Sequence, residues 1–436
     1  MNPERAADLK QKGARVRPGA LKASPPENGH ASATGPHEQR SLRRADLAYV
    51  QLATSETARD INRDVVLELV RAQQPVTRVD LARASGLQKS TISAIVEQLI
   101  EEGWIVEGGT VRQPRGRRPT LLSLNDNIVI LAVDLLPTRA IVAIVDLNSR
   151  LLDQEMVMLP SDPQKAVPML IECLKRLRAH HGRRVFEGIG ISMPGRVDPQ
   201  TQRLVLAPHL RWAGYDISGE IERALGLKVE MENEANACLI SEVWSGRLDG
   251  VRNAVLVAIS EGIGTAILAN GQMLTGRGGL AGEFGHVVLD PAGELCGCGR
   301  KGCWETFAST SAALRYCESE GRTGEEGMTT QKLLSEASNG EARAIAALTK
   351  QAEYLGAGLH AITAALSPEV ILFTGDIVSE WKLIEPIIEA TLRSKMLAGE
   401  APRLLTTSNP EFARLRGAAA LVLQRHSGYH RMASAR

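Results

Sequence analysis

The stretch "IVILAVDLLPTRAIVAIVDL", Ile128 to Leu147, is two aliphatic runs folded about a short bend. Runs of this kind around a turn read as two paired strands. From Ile128 onward the chain alternates such strands with helical segments: "LLDQEMVML", a helix around Val167 to Arg178, then "VFEGIGISMPG". The plan recurs in "NAVLVAIS" and "GTAILANGQML", joined at "SEGIGT", and after an insertion in helices around Ala342 to Leu366 that lead to "PEVILFTGD". Two strand-turn-strand units, one turning at "DLLPT" and one at "SEGIGT", imply a duplicated α/β lobe with a ligand cleft between the copies. The bend "DLLPT", Asp134 to Thr138, resembles the turn of a phosphate-binding hairpin from which the glycines have been removed.

A chain of 436 residues with 44% hydrophobic content exceeds what one core usually supports, so several domains are expected. Lys plus Arg (51) nearly balances Asp plus Glu (50), yet residues 1–125 hold 19 basic and 14 acidic side chains against 32 and 36 in the remainder. That asymmetry points to a basic N-terminal module for polyanions and a neutral-to-acidic body for something else. No apolar run reaches the ~20 residues that cross a bilayer, and the N-terminus has no signal-peptide stretch. The expectation is a cytoplasmic protein with no membrane partner. Six cysteines in such a chain read as reduced thiols or metal ligands, with Cys173, Cys238 and Cys317 as core residues.

Residues 1–55 are rich in Pro, Gly, Ser, Ala and Arg without apolar periodicity, and a disordered basic tail is expected there. "INRDVVLELVRAQ" places Ile61, Val65, Val66, Leu69 and Val70 on one helical face, and Pro75 ends it. "TRVDLARASG" and "QKSTISAIVEQLIEEG" follow as two helices, with Thr77 as an N-cap and Gly103 as a left-handed C-terminal cap. "WIVEGGTV" reads as a hairpin turning at Gly108 and Gly109. Residues 56–125 therefore make a winged helix-turn-helix. A small helical bundle serving as an oligomerisation cap fits the same pattern, but the short polar side chains opening the third helix weigh against it. Gln88, Lys89, Ser90, Thr91 and Ser93 can approach base edges and phosphates in a major groove. In "RQPRGRRPT", Arg115, Arg117 and Arg118, with Arg112, suit a narrow A·T-rich minor groove, the competing reading being a solvated basic linker.

"GEFGHVVLDPAGELCGCGRKGCWE" sets His286 ten residues before Cys296, with Cys298 and Cys303 following. Three thiolates and one imidazole close a tetrahedral zinc shell, at roughly 2.3 Å for sulfur and 2.0 Å for nitrogen. Gly297, Gly299 and Gly302 let the backbone wrap the ion. With no open position the metal is structural; the alternative is three free thiols.

From about Ile61 to His426 the sequence resembles the ROK family of sugar kinases and repressors. "SEGIGTAILANGQMLTGRGGLAGEFGH" is similar to its signature, "CGCGRKGCWE" to its zinc loop, "MENEANA" to its active-site segment and "GRRPTLLSL" to the join between repressor winged helix and sugar-binding body. The resemblance implies an α/β, two-lobed, actin-like ATPase (ribonuclease H-like) fold, with lobes at 126–250 and 251–436 and a C-terminal helix returning to the first. It also implies that Asn233, Glu234, Glu283, His286 and Glu305 surround a sugar, although Glu305 also reads as an ordinary surface carboxylate.

In the family's kinases an aspartate follows the asparagine and takes the proton from the attacking hydroxyl; Glu234 stands there in this chain. One extra methylene misplaces a general base, because catalysis is sensitive to errors of ~1 Å. The kinases also use a D-x-G-G-T loop, in which this chain has Leu136 and Pro137 for the glycines, and a glycine pair, of which the second is Asp376. Proline offers a phosphate no N–H and leucine obstructs the backbone. No ATP is expected. The reading is a sugar-responsive repressor, of the xylose-repressor type within the family, with structural zinc, operator DNA and a monosaccharide effector, acting as a homodimer or tetramer. An ATP-dependent sugar kinase with an appended DNA-binding domain is the alternative.

Overall fold

The computed structural model describes residues 55–110, 119–207, 210, 212, 214–319, 327–397 and 399–425. Residues 1–54 of the expected tail and the segment carrying Arg112, Arg115, Arg117 and Arg118 lie outside these residues, and Ser55, the tail's expected last residue, opens the first helix instead.

The first elements are α1 (Ser55–Gln73), β1 (Val76–Thr77), α2 (Arg78–Ser85), α3 (Lys89–Glu101), β2 (Ile105–Thr110) and β3 (Thr120–Leu124). Thr77 caps α2, its hydroxyl accepting from the Asp80 N–H at 3.3 Å and donating to the Asp80 carboxylate at 2.6 Å. Gly86, with φ 71°, closes that helix. Ile92, Ile95, Val96 and Leu99 form the buried stripe of α3. Gly103, with φ 82°, ends it and lets Trp104 N–H reach the Leu99 carbonyl at 2.9 Å.

Two expectations need correction. Along α1 only Val66 and Val70 of the proposed stripe are fully buried, while Ile61 and Val65 are 42% and 41% exposed. The buried side runs instead through Arg63, whose guanidinium is held by Glu102 and Asp64, so an ion pair occupies the place of an apolar contact. Nor does the wing turn at Gly108 and Gly109. β2 continues through both glycines to pair Thr110 with Thr120, with a register irregularity between Glu107 and Thr110. Glycines in a strand accommodate such a bulge, so here they mark a distorted pairing rather than the bend.

The first lobe contains β4 (Ile128–Leu135), β5 (Arg139–Asp146), β6 (Leu151–Met158), α4 (Pro163–His180), β7 (Val185–Met193), β8 (Arg196–Asp198), β9 (Arg203–Leu206), α5 (Ile217–Leu225), β10 (Val229–Asn233) and α6 (Glu234–Trp244). The second contains β11 (Ala254–Ile259), β12 (Ile263–Ala269), β13 (Gln272–Met273), α7 (Trp304–Ala308), α8 (Thr310–Ser319), α9 (Thr330–Ser338), α10 (Ala342–Leu366), β14 (Val370–Thr374), α11 (Trp381–Lys395), β15 (Arg403–Thr406) and α12 (Pro410–Gln424).

The five-stranded sheets run β10-β7-β4-β5-β6 and β13-β12-β11-β14-β15. Numbered within its own lobe, each sheet has the order 3-2-1-4-5, the first two strands antiparallel and the fourth and fifth parallel additions. The duplication legible in the strand pattern is therefore a duplication of topology. Every residue of β4 and β11 is buried, as strands covered on both faces must be.

The last helix, α12, packs on α6, β7 and β4 of the first lobe. Two glycines permit the approach: a Cβ on Gly190 would lie 1.8 Å from the Ala418 carbonyl oxygen, and one on Gly417 would lie 1.9 Å from that of Ala237. Leu415, Ala418, Val422 and Leu423 share one apolar cluster with Val66, Val70, Trp104 and Leu124 of the N-terminal module. The winged helix thus rests on the first lobe through α12.

Candidate functional site

The bend between β4 and β5 offers few backbone amides to a ligand. Leu136 N–H donates to the Arg139 carbonyl at 2.8 Å, Pro137 has no N–H, and the Thr138 carbonyl accepts from Leu159 N–H at 2.8 Å. The matching turn of the second lobe is closed by Ser260 N–H donating to the Gly262 carbonyl at 3.0 Å. Gly375, with φ 116° and no room for a Cβ beside the Ile259 carbonyl oxygen at 1.9 Å, sets the exposed Asp376 next to that turn.

Asn233 ends β10 and caps α6. Its amide oxygen accepts from Ala235 N–H at 2.8 Å and its amide nitrogen donates to the Gly195 carbonyl at 2.7 Å. One donor hydrogen and one lone pair remain for a ligand. Contacts lead from there to the other candidate residues. A Cβ at Gly264 would touch Ala235 at 3.4 Å, and one at Gly262 would meet Glu305 Oε2 at 2.7 Å. Glu305, on α7, lies 3.4 Å from His286 Nδ1 through Oε1, and His286 Nε2 lies 3.7 Å from Glu283. Glu283 and His286 open and close one short 3-10 turn, where residues three apart eclipse.

His286, Cys296, Cys298 and Cys303 offer donor atoms that all lie within 4.8 Å of one another. Cys296 Sγ is 3.5 Å from His286 Nδ1, and Cys298 Sγ is 3.6 Å from Cys303 Sγ. Tetrahedral zinc bonds would set sulfur pairs about 3.8 Å and sulfur–nitrogen pairs about 3.5 Å apart. The donor set and both separations fit such an ion. Gly302, with φ 68°, packs its Cα face onto the Asp290 carbonyl, where a Cβ would fall 1.5 Å from oxygen. Burial, then the Glu305 hydrogen bond, pushes the Cys296 thiol far above its ordinary value, so a thiolate here needs a cation beside it.

A profile described as the ROK family matches residues 130–425. The chain belongs to the ROK family. A profile described as the IclR helix-turn-helix domain matches residues 65–109. The xylose repressor of Bacillus subtilis is 27% identical over 380 residues, covering 86% of this chain and 98% of the relative. The DNA-binding transcriptional dual regulator NagC of Escherichia coli is 26% identical over 357 residues, covering 80% and 88%. Among solved structures, a ROK family transcriptional regulator homologous to the Escherichia coli MLC protein superposes with a TM-score of 0.76 at 27% identity, covering 86% of this chain and 98% of that one. A Streptomyces griseus ROK family glucokinase, solved with glucose and AMPPNP, gives 0.62 at 27%, covering 68% and 99%. The architecture is accordingly the two-lobed actin-like body with an N-terminal helix-turn-helix.

At the N-terminus of α3 in this ROK protein, Gln88, Lys89 and Ser90 are exposed and Thr91 and Ser93 are half-buried. Gln88 makes no side-chain capping bond. The face carries short donors and one cation beside the positive end of a helix, which suits phosphate and base edges.

One residue of the ROK body escaped the sequence reading. Arg414, from α12, lies 2.9 Å from Asp134 at the end of β4 and 3.6 Å from Glu234 at the start of α6. Burial works against the guanidinium, but the two carboxylates outweigh it and hold Arg414 protonated. The signal was an arginine inside "FARLRGAAALV", an otherwise apolar helical stripe; its partners, 280 residues earlier in the case of Asp134, were not readable.

Proposed function

We propose that this chain is a sugar-responsive, DNA-binding transcriptional repressor whose ROK body binds a monosaccharide without phosphorylating it. The observation that carries this is the bend at Leu136 and Pro137: the Leu136 N–H is taken up by the Arg139 carbonyl and Pro137 has none, so two of the amides a phosphate loop would offer are missing. Supporting it are the helix-turn-helix match and the relatives named as repressors.

In this reading Asn233, Glu234, Glu283, His286 and Glu305 take the sugar hydroxyls, carboxylates accepting and amide or imidazole donating. A structural zinc on His286, Cys296, Cys298 and Cys303 orients the imidazole through one nitrogen while the other faces the cleft. Gln88, Lys89, Ser90, Thr91 and Ser93 contact the operator, with Arg115, Arg117 and Arg118 adding minor-groove contacts. The division is a tail at 1–55, the winged helix at 56–125 and lobes at 126–250 and 251–436. A two-fold operator calls for a homodimer or a dimer of dimers, and the setting is cytoplasmic. The relatives named xylose repressor make D-xylose the first sugar to try.

The sugar acts by binding one lobe arrangement more tightly than the other. The test is to titrate purified protein against the DNA upstream of its own coding region, with and without D-xylose, D-glucose and N-acetylglucosamine. A sequence-specific, sugar-sensitive shift is expected; none with any sugar overturns the reading. The glucokinase likeness and the retained Gly262 and Gly264 favour a kinase as rival. Steady ADP release with a sugar, abolished in Glu234→Gln, would establish that rival instead.

A further inference from the structure

Arg414 is placed where the sugar site, the first lobe and the last helix meet. Its two partners differ: Asp134 is 3% exposed and hydrogen-bonded to Nε, whereas Glu234 is 24% exposed and reaches Nη1 at 3.6 Å. Asp134 anchors the guanidinium, and Glu234 shares it from the side facing the cleft.

Two helices lead away from this junction in the same direction. α6 starts at Glu234 and ends at Trp244; α12 carries Arg414 and nears its end at Leu423. Trp244 and Leu423 both line a cavity of about 170 Å³ whose opposite wall is Leu67 and Arg71 of α1. The Arg71 guanidinium sits 5.1 Å over the Trp244 ring. Ten helical residues span about 15 Å, so the cavity lies one helix length from Glu234. Gly417 of α12 is seated on the Ala237 carbonyl of α6, and Gly190 of β7 on the carbonyl of Ala418, so α12 is in backbone contact with both the helix and the strand, with no room for even a methyl group. Close-packed backbones transmit a displacement rather than absorb it. The cavity at the far end is where the displacement finds room.

We propose that Arg414 is the positioning residue for Glu234 and the link through which sugar at that carboxylate shifts α12 and reseats α1 of the winged helix. This rests on the sugar-responsive reading above. When a hydroxyl draws Glu234 into the cleft, its pull on the shared guanidinium changes and is passed to α12 through Arg414.

The experiment measures the operator dissociation constant by fluorescence anisotropy, using the protein's own upstream DNA, with and without saturating D-xylose, alongside the D-xylose dissociation constant by calorimetry. Wild type and Arg414→Gln are compared, and the charge-neutral pair Asp134→Asn with Arg414→Gln covers the case in which the single variant fails to fold, since it leaves no buried carboxylate unpaired. The variants are expected to bind operator within about threefold of wild type without sugar, and to lose at least tenfold of any sugar-induced change. Arg414→Lys, which keeps the charge but not the two-pronged geometry, should recover part of the response. Leu423→Ala, far from the sugar, should weaken the response while leaving the D-xylose dissociation constant within about twofold. A neutral pair that folds and responds to sugar as wild type does overturns the proposal while leaving the repressor reading intact. A wild-type protein whose operator binding no sugar alters overturns both.

Discussion

Gly262→Ala tests the sugar site through a residue that touches no sugar. A Cβ there would stand 2.7 Å from Glu305 Oε2, whereas ordinary contact begins at 3.4 Å, so the carboxylate must retreat by about 0.7 Å. The direction is restricted, because the other oxygen already faces Cys296 Sγ at 2.8 Å and His286 Nδ1 at 3.4 Å. Glu305 therefore withdraws from its place above the second turn. A hydrogen bond to a charged group contributes about 1.5–3 kcal/mol, and stretching one by that distance loses most of it. The expected result is D-xylose binding weaker by roughly tenfold to a hundredfold, since 1.4 kcal/mol is about tenfold. Gly262 is not in the left-handed region, so alanine costs the backbone little and Tm should fall by only a few degrees. Gly264→Ala is the control in the same loop: its Cβ would meet Ala235 at an ordinary 3.4 Å, and binding should change little. Calorimetry with zinc-replete protein decides the matter. A Gly262→Ala dissociation constant within about twofold of wild type would show that Glu305 does not read the sugar.

Elemental analysis of protein prepared without chelator should find one zinc per chain, and Cys298→Ser should lower zinc content, Tm and D-xylose affinity together; metal-free protein with full sugar affinity refutes the zinc assignment. Lys89→Ala should weaken operator binding and flatten its salt dependence by about one unit of slope, which anisotropy at several salt concentrations measures; an unchanged slope removes Lys89 from the interface. Glu242 is wholly buried, with Oε1 accepting from Ser408 N–H and hydroxyl at 2.9 and 3.0 Å, and burial raises its pKa. A carboxyl raised on folding contributes stability below its unfolded pKa and loses it as pH climbs through the folded value. The Tm of Glu242→Gln relative to wild type should therefore rise as pH climbs above the ordinary carboxylate range; a constant difference refutes the desolvation argument.

Periodicity in the chain was enough to show the duplicated lobe, the helix-turn-helix and the cap residues Thr77 and Gly103, because each depends on neighbours a few positions away. The cluster of His286 with Cys296, Cys298 and Cys303 was legible for the same reason, all four falling in one loop. Local pattern failed where distant partners set the outcome. Arg63 is buried on α1 because Glu102 reaches it from the end of α3, and the glycines of β2 mark a bulge because β3 continues opposite them. Leu136 and Pro137 stood out in the sequence where the resemblance expects glycines, and the folded bend shows the Leu136 N–H already taken by the Arg139 carbonyl. Only tertiary structure could set Arg414 between Asp134 and Glu234, or run α6 and α12 from that junction to the cavity under α1. Spacing along a chain encodes hydrogen bonds within a turn or a strand pair; the meeting of charges hundreds of residues apart is decided by how the packed elements close on one another.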